Sequence, residues 1–256
     1  MRFRVSAAVV TGALALTALS APAAQADEAV GNTKISNVVV NGGKAIILGT
    51  SAKKTVTVSF TASDSSGIFY ATSALWYGKT PDTALSAVSP KGGKATCGKG
   101  SKPTCKATFT IDPTYHLYSN NLAGGWKTIV GAAANDGDYI NKDNAKSFNM
   151  QRLSKISINA SPEPVKKGKD LTVTGSLTRA NWETGKYAGY TNQPVKLQFR
   201  KKGGKTFTTV KTVKTDSKGN LKTTVKASAD GTYRYSFAGN STTPAITNGG
   251  DFVDVK

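Results

Sequence analysis

Residues 55–63 read TVTVSFTAS, placing Val56, Val58, Phe60 and Ala62 on one side of an extended backbone and Thr55, Thr57, Ser59 and Thr61 on the other. A helix would scatter these apolar side chains around its circumference, whereas a strand gathers them on one face. The same alternation recurs at 35–40, 45–48, 68–77, 105–111, 126–133 and 145–152, with clusters of Gly, Asn, Asp, Ser and Pro between the runs. No stretch of eleven or more residues holds a helical stripe. The chain is therefore expected to be all-β, built as sandwiches.

A second series follows Arg152, at 156–160, 171–177, 195–200, 206–215, 221–227, 233–238 and 252–256. Seven short strands in about 100 residues match one immunoglobulin-like sandwich. Only Gln151-Arg152-Leu153-Ser154-Lys155 lies between the series, too short and too poor in Gly and Pro for a flexible linker. The expectation is two tandem sandwiches, 27–153 and 154–256, joined end to end near Leu153 with limited freedom.

The first 26 residues stand apart. Arg2 and Arg4 precede an apolar stretch at 5–19, and Ala24-Gln25-Ala26 supplies the small-x-small pattern of a secretory cleavage site. The stretch falls short of the ~20 residues of a membrane span and runs into Pro22 and Gln25. No cysteine follows that could carry a lipid anchor. A secreted chain beginning at Asp27 is expected, extracellular or wall-associated and without membrane insertion. In that oxidising compartment Cys97 and Cys105, eight positions apart and flanked by Gly98, Gly100 and Pro103, are expected to form a disulfide across a hairpin loop. Such a small ring contributes roughly 2.5 kcal/mol. A zinc site or a CxxC redox motif is poorly supported, because the spacing is wrong and His116 is the lone imidazole.

NASPEPVKKGKDLTVTGSLTR and QPVKLQFRKKGGKTFTTVKTVKTDSKGNLKTTVKASADGTYRYSFAGN resemble the immunoglobulin-like modules of exported actinobacterial proteins. The resemblance covers about 154–256 and implies that Asp230-Gly231-Thr232-Tyr233 forms a tight corner in which the tyrosine locks the turn. Gly231 could take a positive φ there, and Tyr233, Tyr235 and Phe237 alternate as an inward set. More loosely, FTASDSSGI and AGGWKTIVGAAANDGDYI resemble the first half of such two-sandwich proteins, some of which are labelled calcium-binding.

The residues themselves offer a place for calcium. In sandwich order, the loop after 55–62 and the loop after 126–134 leave the same end of the fold. That end would gather Asp64 with Asn135, Asp136, Asp138, Asn141 and Asp143. Calcium takes six to eight oxygens at about 2.3–2.6 Å, and Asp64, Asp136, Asp138 and Asp143 could supply the charged part of that shell. The loop is not an EF-hand, since it lacks the terminal Glu and helical flanks. Lys142 weighs against a tight cage, and Asp and Asn are also ordinary turn formers.

Net charge is the other conspicuous feature. The whole chain carries 34 Lys and Arg against 15 Asp and Glu, and 154–256 alone holds 15 Lys, 3 Arg and 7 acids, a net of +11. Alternation points Lys196, Gln198 and Arg200 outward opposite Val195, Leu197 and Phe199, with Arg234 on the neighbouring strand. Lys222 and Lys226 face outward on the other sheet, so the charge serves either solubility or, if focused, binding of an anionic cell-wall polymer or acidic polysaccharide. Nucleic acid is not an expected partner of an exported chain. Trp76 and Trp126 are expected in the core. Trp182, Tyr187 and Tyr190, in the polar segment NWETGKYAGYTN, form either a ligand-contact patch or packing over the sandwich end.

The catalytic inventory is thin. His116 has no nearby Gly-x-Ser-x-Gly or cysteine partner, and Glu28, Glu163 and Glu183 are isolated in sequence. The expected function is that of a secreted non-enzymatic binding or structural protein, calcium-stabilised at one end. The alternative is a secreted hydrolase with a carboxylate site at the domain junction.

Overall fold

A computed structural model describes residues 27–256, so the expected signal segment lies outside the described residues. The regular secondary structure of the described residues is nearly all β. Its first part contains β1 (Glu28–Val30), β2 (Lys34–Val40), β3 (Ile46–Leu48), β4 (Lys54–Ser63), β5 (Ile68–Tyr77), β6 (Ser86–Val88), β7 (Thr96–Cys97), β8 (Thr104–Ile111), β9 (Gly124–Ala134) and β10 (Tyr139–Arg152). One sheet runs β1-β10-β9-β5-β6 with β3 added in parallel to the far end of β10, and the other runs β2-β4-β8-β7. The alternation does what it should: Val56, Val58, Phe60 and Ala62 are buried, and they share one core with Leu75, Trp126, Val130 and Met150 from the other sheet. Cys97 and Cys105 are paired across the β7–β8 hairpin and form a disulfide. No helix among the described residues is long and apolar enough to cross a membrane.

The second part contains β11 (Ser154–Ser161), β12 (Asp170–Asn181), β13 (Lys186–Gly189), β14 (Pro194–Lys201), β15 (Thr208–Lys214), β16 (Asn220–Lys226), β17 (Gly231–Phe237), β18 (Ile246–Thr247) and β19 (Asp251–Val253). Here β12 pairs with β11, β13 and β16, while the order β15-β14-β17-β18, with β19 also on β17, makes a five-stranded sheet. Tyr233, Tyr235 and Phe237 are buried as their alternation requires, and the Tyr235 hydroxyl donates across to the carbonyl of Val173 at 3.1 Å. Burial pushes that phenol up to about 12. At the corner the glycine serves another purpose than a positive φ. Gly231 is absent from the left-handed residues, yet a Cβ on it would lie 2.4 Å from the Arg200 carbonyl oxygen and the Phe199 ring, so close packing is what excludes a side chain.

Leu153 alone separates β10 from β11, and the two sheet pairs are tied there by both backbone and side chains. Its N–H donates to Leu48 and its carbonyl accepts from Ala180, each at 2.8 Å. NWETGKYAGYTN is not the irregular segment its composition suggested: β12 and β13 pair through it as a hairpin, with Gly185 left-handed at the turn. The hairpin carries Trp182 into the first core, where it is 5% exposed and its indole N–H donates to the Gly49 carbonyl at 2.9 Å. Glu183 then accepts from the Asn120 N–H and the Ser119 hydroxyl, which holds its carboxyl below the usual range.

A Trp that fills the edge of another sheet pair's core leaves a void when truncated. Trp182→Ala should cost about 3–5 kcal/mol in urea unfolding of the full chain, the loss expected for a buried aromatic. A loss within ~0.5 kcal/mol would mean that the indole is not part of that core.

Candidate metal centre

The loop-end convergence rests on two tight turns. Between β4 and β5 the chain turns at Asp64–Gly67, with the Gly67 N–H donating to the Asp64 carbonyl at 3.2 Å. Between β9 and β10 it turns at Asn135–Asp138, with the Ala134 N–H donating to the Asp138 carbonyl at 2.7 Å. Because β5 and β9 are hydrogen-bonded neighbours, with Ile68 opposite Ala134, the two turns are held side by side. The Asn135 N–H donates to Gly67 and its side-chain amide to Ser66, so the turns are also bonded to each other. The result is that Asp64, Asp136 and Asp138 each present an oxygen within 4.8 Å of the others.

Asp64 is the innermost of the three, 4% exposed, and both of its carboxylate oxygens accept hydrogen bonds. Oδ1 accepts from the Ser66 N–H and hydroxyl, both at 2.8 Å, and Oδ2 accepts from the Thr33 hydroxyl at 2.8 Å. The Ser66 backbone N–H chiefly, then the Thr33 and Ser66 hydroxyls, hold this carboxyl below the usual range against the opposing effect of burial. Asp138 Oδ2 accepts from the Asn32 N–H at 2.7 Å, and Asp136 Oδ1 accepts from the Asp138 N–H at 3.2 Å. A shallow hollow of about 320 Å³ opens beside Asp64, bordered by Asn32, Ser63 and Ser65 and flanked by Lys34 and Lys102.

The sequence pattern missed the contribution of β1 and the turn after it. Gly31 is left-handed, at φ +76°, and a Cβ there would fall 1.8 Å from the Asp138 carboxyl carbon. Gly31 and Asn32 thus cradle one acid while Thr33 grips another. The only hint was the turn-forming dipeptide Gly31-Asn32 ahead of an alternating run.

Asp143 does not join the group, and the expectation that it would is corrected. β10 already begins at Tyr139, pairing with Ala133, so Asn141 and Asp143 lie along a strand instead of in a loop. At about 3.3 Å per residue, five residues carry Asp143 well away from Asp138. Its carbonyl instead accepts from the Trp76 indole at 2.8 Å, and burial first, then the charges of Glu28, Asp82 and Asp27, raise its carboxyl above the usual range. Lys142, which weighed against a cage, points elsewhere and pairs with Asp27 at 3.0 Å.

A single calcium with oxygens at about 2.4 Å keeps any two of its ligands within about 4.8 Å of each other, so the spacing of the three carboxylates suits one such ion. Their donors occupy part of the lone-pair capacity without exhausting it, since an ionised carboxylate offers about four acceptor sites.

The other singled-out residues are placed as follows. Trp182 and Tyr190 are buried and Tyr187 is half-buried, so the aromatic contact patch is replaced by packing. Tyr190 lies under the Arg179 guanidinium at 3.7 Å, and the Lys155 ammonium sits 3.9 Å over Tyr187. Lys196 is exposed, and Arg200 and Arg234 are half-buried on the outer face of the five-stranded sheet. His116 Nδ1 accepts from the Asp112 N–H at 3.0 Å within the short helical turn Pro113–His116. The junction holds Arg152, 6% exposed, with Nε donating to the Ala180 carbonyl at 2.5 Å, beside Arg179, which donates to Thr242 and Thr243.

No family model and no curated protein matches the chain. Among solved structures, a Corynebacterium diphtheriae protein provisionally described as membrane-anchored aligns over 88% of this chain at 12% identity, with a TM-score of 0.31. The chain spans 59% of the length of that protein.

The Asp64 network fixes the sign of an acid effect. Its folded-state pKa lies below the ordinary 3.8, so the stabilisation is complete above that value and disappears as pH falls through the lower, folded one. In an NMR titration Asp64 should titrate below its ordinary value, and Thr33→Val should move it upward and narrow the difference in melting temperature between neutral and acid pH. An unchanged Asp64 titration in Thr33→Val would remove the hydroxyl from this account.

Proposed function

We propose that this chain is an exported, non-enzymatic binding or structural protein of the extracellular space or cell envelope, stabilised at one end of its first sheet pair by a calcium ion on Asp64, Asp136 and Asp138. The observation that carries the cation is the convergence of three carboxylates from two turns some 70 positions apart in sequence. Three like charges so close repel, and a divalent cation would convert that repulsion into a link between the β4–β5 and β9–β10 turns. Asp64 and Asp138 would enter preoriented by Ser66, Thr33 and Asn32, with Asp136 closing the set from the more exposed side.

Export is supported by the basic-apolar-small pattern of the first 26 residues and by the Cys97–Cys105 disulfide. A non-catalytic role is supported by the employment of the few groups able to do chemistry: the His116 ring nitrogen caps a turn, and Glu183 is bound by backbone and hydroxyl donors. The cavity of about 300 Å³ beside Val38–Val40 and Phe148 is lined by no carboxylate or imidazole. A hydrolase site at the junction of the sheet pairs would have to be built where Trp182, Arg152, Arg179 and Tyr190 are packed, with Glu183 as the neighbouring carboxylate.

Calcium should raise the melting temperature of the chelator-treated protein. A ligand that binds only the folded form adds about 2.7 kcal/mol at a hundred times its Kd. Asp136→Ala should abolish the shift and Asp143→Ala should retain it. An unchanged melting curve at millimolar calcium would overturn the cation reading. Protein recovered from culture fluid should begin at Asp27 and contain no free thiol in denaturant; an intact Met1 or two titratable thiols would overturn the export reading.

A further inference from the structure

Three strands of the five-stranded sheet carry cations on their outer face with no acid between them, and the ion pair at the rim is Lys202 with Asp230 at 3.3 Å. β14, β15 and β17 contain no Asp or Glu at any position, while Lys196, Arg200, Lys214 and Arg234 project from their outer side. On the companion sheet, by contrast, the outward Lys226 is neutralised by Asp170 at 2.8 Å. Lys196, Arg200, Lys214 and Arg234 are in no ion pair among the described residues.

The two arginines are also oriented. The guanidinium carbons of Arg200 and Arg234 lie 4.7 and 3.7 Å from the centroid of the same ring, that of Phe207. Arg234 Nε donates to the Gln198 side-chain oxygen at 2.8 Å, and neither arginine is in a salt bridge. A guanidinium held over an aromatic ring has already lost much of the rotamer freedom that an ion contact would otherwise cost, and its remaining N–H groups keep the fork that matches a carboxylate. On the same sheet Phe252, opposite Thr232, is 45% exposed, an aromatic surface with no partner beyond Lys202 at 5.8 Å.

We propose that this face is a docking surface for a linear acidic polysaccharide, with Arg200 and Arg234 on its carboxylates, Lys196 and Lys214 extending the track, and Phe252 against a sugar ring. Charge complementarity selects an anion. The spread of cations along and across the strands suits a chain with repeated charges better than a single small ion. An anionic bilayer fits less well, because the apolar side chains of this sheet that reach solvent, such as Phe207, Val210 and Phe252, are few and interspersed with polar ones. The choice of a polysaccharide deepens the extracellular reading above and rests on it. The face itself is independent of the cation site.

The test uses the full chain from Asp27 in chelator, so that failure of the calcium reading cannot affect it. Polygalacturonate should bind, neutral dextran should not, and binding should weaken steeply as salt rises past about 0.15 M, where the screening length is ~8 Å. Arg200→Gln/Arg234→Gln should weaken binding by about tenfold or more, the effect of losing charge-assisted hydrogen bonds. Lys222→Gln/Lys226→Gln, which removes the same charge from the other sheet, should change it by less than about twofold. The exposed Lys196→Gln gives a second reading that does not disturb the Phe207 stack and should weaken binding. Equal losses from the two double variants would mean diffuse charge and overturn the proposal. So would absence of polygalacturonate binding, or equal binding to neutral dextran. Binding to phosphatidylglycerol vesicles in preference to polygalacturonate would replace the polysaccharide with a membrane and likewise overturn it.

Discussion

The long strands here have one face to hide, and that single requirement arranges everything else. Val56, Val58, Phe60 and Ala62 can leave water only if a second sheet covers them, and the same holds for Tyr233, Tyr235 and Phe237. Once two sheets are locked face to face, their turns have nowhere to go but the ends, and turns between neighbouring strands must meet. The meeting of Asp64 with Asp136 and Asp138 follows from the β5–β9 pairing, and Asn32, Thr33 and Ser66 then orient the carboxylates that this ladder has brought together. Polar chemistry is left to two locations, the ends of the sheets and their outward faces, and the acid cluster and the arginine face occupy one of each.

The two sheet pairs have different electrostatic character. The first gathers carboxylates, at the turn cluster and again around Asp143, Glu28, Asp82 and Asp27, where their proximity raises Asp143. The second presents a sheet on which Lys196, Arg200, Lys214 and Arg234 are in no ion pair. At the junction, burial of Arg152 with Arg179 nearby lowers the Arg152 guanidinium to about 10 against the opposing charge of Glu183, while Arg152 donates to the Ala180 carbonyl and Arg179 to the Thr242 and Thr243 hydroxyls. Neutral acceptors around two cations make the junction dependent on geometry, because carbonyls and hydroxyls stabilise charge only at close range and good angle.

What could be read in the sequence was whatever obeyed a period. The seven strands expected after Arg152 all exist, and so do the seven alternating runs before it, with ends displaced by a few residues. The pairing of Cys97 with Cys105 and the approach of Asp64 to Asp136 were legible because each needs only strand order. The start of β10 was not, since Tyr139 to Lys146 lie near a sheet edge with few buried faces and read as a polar loop; that single misreading placed Asp143 in the cluster. β1 and β13 were invisible for the same reason. Of the two readings of Trp182, packing is the one realised, but the core it joins was not legible, because its neighbours Asn181, Glu183 and Thr184 are polar and nothing local announces a side chain that completes a core built from earlier strands. Phe207 went unremarked because the role of a ring under two guanidiniums depends on three strands at once.

The position of Trp182 bears on how the chain comes to be folded. A polypeptide is made from its N-terminus, so β1 to β10 exist before the hairpin that carries this indole. Until residue 182 has been added and the β12–β13 hairpin has closed, the rim beside Gly49 remains open and the first core lacks one of its largest side chains. The early half of the nascent chain is consequently less stable than the same half in the finished molecule, and remains easier to unravel.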